Sequence, residues 1–255
     1  MRLTKRILTL TISIAILITG CNGKKSKSQN LPDARSVIEQ GAQQLQNAHS
    51  FGLEMQVSGY PVDIQLKGVQ FPSDTPLLFK YAKGVFEAPD RIDANIQFSL
   101  GDVSTTAELV ALDGEHYFRS NLLTGNQWIK GELIQGYSPA SLVSETGGVA
   151  HALNTITDLQ MVGKEDLEGL NVFHLRGSIQ AGDVHTLTFG LIRTQNGTLK
   201  IEVYVEVDNQ RIAQISITDP PPPDANSSEP TIWQINFTGY DQDVSITAPA
   251  TPESH

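Results

Sequence analysis

Apolar and polar residues alternate along most of this 255-residue chain. Phe51, Leu53, Met55 and Val57 alternate with Gly52, Glu54, Gln56 and Ser58. Gly59-Tyr60-Pro61 breaks the run, and Val62, Ile64 and Leu66 resume it. The period of two returns after Pro89 in Ile92, Ala94, Ile96, Phe98 and Leu100, then in Val103, Thr105, Ala107, Leu109 and Ala111. It is clearest from Thr198 to Asp208, where Leu199, Ile201, Val203, Val205 and Val207 alternate with polar residues or Tyr204. Shorter stretches with this pattern are Leu159–Met161, Val172–Ile179, Ile212–Thr218 and Trp233–Phe237. Val244, Ile246 and Ala248 predict one last short strand. Successive side chains of a strand point to opposite faces, so strict alternation predicts antiparallel strands with one covered face. Asp113-Gly114 predicts a tight hairpin, because a two-residue primed turn needs positive φ. Glu168-Gly169 and Asp208-Asn209-Gln210 predict further turns.

Two regions follow a helical period instead. Asp33 after Pro32 is an N-cap, and Val37, Ile38, Ala42, Leu45 and Ala48 recur at steps that predict a helix over Ala34–Ala48, weakest at Gly41. Ser138-Pro139 opens a second helical region with Leu142 and Val143. Gly147-Gly148 interrupts it, and Val149, Ala150, Leu153 and Ile156 continue it. Many strands with few helices predict a mainly β, α+β domain, with a large curved sheet or barrel partly covered by apolar helical faces. Asp219–Pro230 carries a run of four prolines, which lack amide donors, so it is an exposed loop or hairpin tip.

The N-terminus reads differently. Arg2, Lys5 and Arg6 precede an apolar run from Ile7 to Ile18, then Thr19, Gly20 and the sole cysteine, Cys21. This is the layout of a secretory signal, and the run is short for a membrane span. The segment resembles a bacterial lipobox, cleaved before Cys21, whose thiol then receives a diacylglyceryl group. An ordinary signal peptide with an incidental cysteine is the competing reading. Residues 1–20 are thus the signal and 21–31 a polar tether. Residues 32–249 form one domain, and 250–255 a disordered tail. The expected location is the outer face of the cytoplasmic membrane, held by the N-terminal acyl chains.

Removing residues 1–20 takes away three of 18 basic residues and none of 28 acids, leaving a charge of −13. That balance argues against a nucleic-acid partner, whose phosphates attract Lys and Arg. No nucleophile elbow, paired metal-ligand histidines, phosphate loop or C-x-x-C is present. The reading is therefore non-enzymatic, with no metal and no cofactor.

Several stretches in order carry a resemblance. They are the lipobox, Leu31-Pro32-Asp33-Ala34, the run from Leu112 through Asp113-Gly114 to Tyr117, and Tyr137-Ser138-Pro139 through Leu153. Gly163–Val172 and Tyr240–Pro249 complete the set. Together they are similar to the LppX/LprAFG lipoprotein family. The resemblance implies a LolA-like fold: a single curved antiparallel sheet, an unclosed half-barrel, with helices across its concave face around an apolar cavity. It implies a lipid or glycolipid ligand, a role in lipid transport or presentation in the envelope, and an envelope transporter as possible partner. The chain departs from the family at Asp219–Pro230, which looks like an insertion, and at Ala181–Leu187, which is short of helical residues.

Two readings follow. In the first, acyl chains lie between helices and sheet, with Leu142, Val143, Leu153 and Ile156 on the helical side. Ile96, Phe98, Leu109, Val203 and Val205 face them from the strands. In the second, the core is filled, and the protein is a structural or interaction lipoprotein that binds another envelope protein. Either way a monomer is expected.

Overall fold

A computed structural model describes residues 31–64, 76–132 and 136–250. The signal segment, Cys21, the tether up to Asn30, Leu66 and residues 251–255 lie outside the described residues.

Helix α1 spans Ala34–Gln46. The Asp33 carboxylate caps it, accepting the Ser36 amide at 2.9 Å. Its apolar face buries Val37, Ile38, Ala42 and Leu45. Gly41 lies on that face because the chain at Ile212 comes close: a Cβ there would fall 2.5 Å from Cδ1 of Ile212.

Twelve strands among the described residues form one sheet. They are β1 Ser50–Gly59, β2 Val62–Asp63, β3 Leu77–Glu87, β4 Arg91–Leu100, β5 Val103–Leu112, β6 Glu115–Ser120 and β7 Ile129–Lys130. After a gap come β8 Thr157–Leu167, β9 Leu170–Gln180, β10 Thr198–Glu206, β11 Ile212–Asp219 and β12 Thr231–Thr238. The order is β7-β6-β5-β4-β3-β1-β12-β11-β10-β9-β8, with β2 paired to β3. Every pairing is antiparallel. The sheet is open, with β7 and β8 at its edges. The ends of the domain meet in the middle, where β1 pairs with β12. The β5–β6 hairpin turns at Asp113 (φ 52°) and Gly114 (φ 77°), the positive pair that a primed turn requires.

Sequence periodicity missed β3. A bulge between Phe79 and Tyr81 shifts its phase, so Phe79 faces inward and the next inward residue is Ala82. No run of strict alternation survives. The expected strand at Val244–Ala248 is absent as well. Those residues cross the outer face of the sheet, where Ile246 packs with Val110 and Tyr117. The Ile246 amide donates to the Glu87 carboxylate at 2.9 Å. The strands in the middle of the sheet already have two partners each, so a segment lying over their face finds no ladder to join.

The second helical region becomes a 3-10 turn at Pro139–Val143 and a short α helix at Val149–Asn154, here α3, after the single exposed turn α2 at Asn121–Thr124. The Ser138 side chain makes no cap; its carbonyl instead accepts from Ser141. Ala181–Val184 is another 3-10 turn, and turns continue to Gly190. Helix α1 packs on α3 and lies over β8, β10 and β11. Arg35 fixes the pair, donating to the carbonyls of Asn154, at 3.0 Å, and Ile156 at the C-terminal end of α3.

Candidate functional site

Among the described residues, the α1–α3 pair covers one half of the sheet, while the other half meets the single turn α2, at β5 and β6, and the 3-10 turn Pro139–Val143, at β4. Over the other half the concave face carries small side chains. Ala82 on β3, Ala94 on β4, and Ala107 and Ala111 on β5 all belong to the core cluster. Here lies an apolar cavity of about 30 Å³. Its floor includes Ala82, Ala94, Ile96, Phe98 and Leu109, and Ile64, Leu77, Phe79 and Ile92 flank it. Its roof is Tyr137, Phe189 and Leu191, from two loops and no helix. A cavity needs roughly 10–15 Å³ on this measure to hold one water, so the space in this conformation suits about two and is far from an acyl chain's volume.

Local hydrogen bonds build the roof. Gly190 donates to the His185 carbonyl at 2.8 Å and Leu191 to that of Thr188 at 2.8 Å. The buried Thr188 hydroxyl donates to the Val184 carbonyl at 3.1 Å. The turn so formed holds Phe189 at φ 51°, a left-handed conformation that costs an aromatic residue about 1–3 kcal/mol and persists only where its surroundings enforce it. The Phe189 ring meets Tyr137 edge-on, with centroids 5.1 Å apart at 76°. His116 on β6 meets the same tyrosine from another side, at 6.5 Å.

Tyr137 and Phe189 also border a second space of about 210 Å³, with Gly136, Ser141, His185, Thr186 and Gly190. The two rings are thus shared between an apolar cavity and a more open, partly polar pocket. The Tyr137 hydroxyl is buried and has no hydrogen-bond partner among the described residues. Burial pushes its pKa well above the ordinary phenol value, so it stays protonated.

Of the residues singled out from the sequence, Ile96, Phe98 and Leu109 line the cavity. Leu142, Leu153, Ile156, Val203 and Val205 are buried, and Val143 half-buried, in the same core but outside the cavity wall. Sequence reasoning did not select Tyr137, Phe189 or Leu191. The available signal was an aromatic beside a glycine in each of two turn-rich segments, Gly136-Tyr137 and Phe189-Gly190.

Among the described residues, the cavity wall contains no charged side chain. A titratable cluster lies on the opposite face, where Tyr204 alternates with the inward Val203 and Val205. There His174 Nδ1 sits 2.6 Å from Glu165, and its ring stacks on Tyr204 at 4.6 Å. Burial, then the carboxylates of Glu202 and Glu165, push Tyr204 up to about 12. No group of acidic, histidine or cysteine side chains suited to a metal ion occurs among the described residues.

An open antiparallel half-barrel with a lined apolar hollow defines the class of domain. The chain belongs to the LppX_LprAFG lipoprotein family, whose model matches residues 33–246. It is 25% identical over 249 residues to the lipoarabinomannan carrier protein LprG of Mycobacterium tuberculosis, covering 96% of this chain and 95% of that protein. The LprG of Mycobacterium leprae is also 25% identical, over 252 residues, covering 97% and 95%. The fold is similar to that of LprF from Mycobacterium bovis, with TM-score 0.61, 14% identity, and 86% of this chain and 98% of that one covered. Lipoprotein LppX of Mycobacterium tuberculosis has TM-score 0.55, 18% identity and coverage of 84% and 98%.

Proposed function

We propose that this protein is a membrane-anchored lipoprotein that carries lipid or glycolipid, with the acyl chains held in the cavity over β3–β5. Cys21 would carry the anchor; two acyl chains hold a protein on a bilayer where one holds it only marginally. The observation that carries the reading is the apolar wall of the cavity, uncharged among the described residues. Such a wall suits a tail, whose burial contributes about 0.8 kcal/mol per methylene. The names of its LprG relatives support a carrier, and a transporter in the envelope is a fitting partner.

The cavity's small volume favours a second reading, the interaction lipoprotein with a filled core. Carriage requires the roof to lift, and the roof is made of loops. Mass spectrometry of lipids extracted from the folded, non-acylated protein separates the two. Bound lipid with at least one long acyl chain is expected. Protein that purifies free of lipid and takes none up from mixed vesicles would leave only the interaction reading.

A further inference from the structure

Any tail that reaches the apolar cavity from the open pocket must pass Tyr137 and Phe189, because those two rings line both spaces. At that boundary sits a hydroxyl that is buried, protonated and unpartnered among the described residues. An unsatisfied buried polar group costs about 1–3 kcal/mol, and such a group in a native structure calls for an explanation. A ligand atom is one. The outer pocket sets that atom's chemistry. Among the described residues Ser141, His185 and Thr186 line it, with no Lys, Arg, Asp or Glu. The Ser141 hydroxyl donates to the Ser138 carbonyl at 2.6 Å and that of Thr186 to the Gly147 carbonyl at 2.7 Å. Each keeps its oxygen free to accept. A phosphate would call for guanidinium or ammonium partners, whereas hydroxyls need acceptors such as these.

Resting on the lipid-carrying reading, we infer that the outer pocket seats the junction between tail and head of the ligand. Tyr137 donates its hydroxyl to the first polar atom beyond the tail, the ester carbonyl of an uncharged acylglycerol or acylated sugar. The ring pair parts to admit the tail and closes behind it. The hydroxyl gains its missing partner only when ligand is bound, so this bond adds to affinity without adding to the stability of the empty protein.

The test uses the full chain expressed without export, and so not acylated. Three probes are compared by equilibrium binding: dioleoylglycerol, dioleoylphosphatidylglycerol and octadecene. Tyr137→Phe keeps the ring and removes the donor. Tyr117→Phe is the control, because the Tyr117 hydroxyl bonds Glu115 at 2.5 Å, outside both spaces. Wild type should prefer dioleoylglycerol to the anionic lipid. Tyr137→Phe should weaken dioleoylglycerol binding about three- to tenfold. It should leave octadecene binding unchanged and the melting temperature of the empty protein unchanged or higher, since an unpartnered buried hydroxyl is removed, and Tyr117→Phe should leave the binding of all three probes unchanged. Equal dioleoylglycerol affinity in Tyr137→Phe and wild type overturns the inference while the carrier reading stands. So does an equal loss for octadecene, which would mark a purely structural role. Tighter binding of the anionic lipid by wild type overturns the uncharged head. If no probe binds wild type, the carrier reading falls, and the inference with it.

Discussion

Strands β9–β11 and strands β3–β5 each turn one apolar face inward, the bulged β3 with a shift of phase, on either side of the central β1–β12 pair. The first set points Leu175, Ile179, Leu199, Ile201, Val203, Val205, Ile215 and Ile217 into the core. Helix α1 lies over that half, with α3 packed on it and joined by Arg35, and none of those strand residues lines the cavity over β3–β5. The second set places Ala82, Ala94, Ala107 and Ala111 among its larger residues, and its cover is two turn-rich loops. Side-chain size on the floor and the type of cover both differ, and both act in one direction. Branched side chains under a helix interdigitate to interior density. Alanines under a loop leave a gap, because a loop must satisfy its own backbone hydrogen bonds and cannot settle freely onto the floor. One sheet therefore supports a rigid half and a half with room to change.

The largest effect should come from emptying each half in turn. Leu153→Ala removes a fully buried side chain from α3 and opens a new cavity, at a cost of about 2–5 kcal/mol. Leu109→Ala enlarges a cavity that already exists. Leu109 forfeits fewer contacts, because part of its surface faces a void, so its loss should be smaller by roughly 1 kcal/mol or more. Urea unfolding of both variants measures the difference. Equal losses would mean that the two halves are equally packed, and the comparison would fail.

How far this contrast was legible in the sequence depends on the element. Where a strand keeps its phase, as Thr198–Glu206 does, alternation reads directly as a half-buried strand. The helix at Ala34 and the Asp113-Gly114 turn are local chemistry, a cap and a positive-φ pair, and needed no tertiary information. β3 was hidden because a bulge changes which parity faces inward. The Val244–Ala248 segment alternates because one side of it packs on the sheet's outer face, which mimics a strand's pattern without its ladder. The open sheet and the family were thus legible, the latter through the order of several weak motifs. The cavity was not. Its floor residues Ile96, Phe98 and Leu109 lie on readable strands, but whether a helix or a loop covers them is decided by chain segments far away in sequence. Sequence spacing alone directs attention to the helices, and so to Leu142, Val143, Leu153 and Ile156. Helix α1 lies over the filled half instead, with α3 packed on it, and the 3-10 turn that carries Leu142 and Val143 touches β4 without entering the cavity wall.

Filling each half should give a smaller but more diagnostic effect. Ala152 on α3 is buried against the rest of the core, and Ala152→Leu forces extra methylenes into it at a cost of about 1–3 kcal/mol. Ala94→Leu projects the same atoms into the existing cavity. Stability should stay within about 0.5 kcal/mol of wild type or rise, as cavity-filling changes commonly do. Lipid binding by the Ala94 variant should fall, since the added branches occupy tail space, while the Ala152 variant that remains folded should bind as wild type does. Thermal melting together with lipid extraction reads both quantities. If Ala94→Leu destabilised as much as Ala152→Leu, the hollow would be too small to matter.

The smallest effect should follow shortening of the proline-rich loop between β11 and β12, on the filled side of the sheet. What holds that corner is at the loop's two ends. Asp219 is fully buried, and its carboxylate accepts the Arg193 amide at 3.3 Å and the Thr194 hydroxyl. At the other end Thr231, also fully buried, accepts from the Arg193 guanidinium at 2.6 Å and donates to the Tyr60 carbonyl at 2.8 Å. Arg193 thus clamps both ends of the hairpin, while its guanidinium lies over the Tyr60 ring at 4.4 Å. Removing Pro221–Ser228 leaves every one of these contacts in place. Closing a shorter loop costs slightly less entropy, and each halving of length changes that cost by only about 0.6 kcal/mol. The melting temperature should therefore move by no more than about 2–4 °C. Lipid uptake should not change at all, because no residue of the loop lines the cavity or the pocket beside it. Normal stability with altered uptake would show that the loop reaches across to the hollow half. The division between a sealed side and an open side would then have to be redrawn around it.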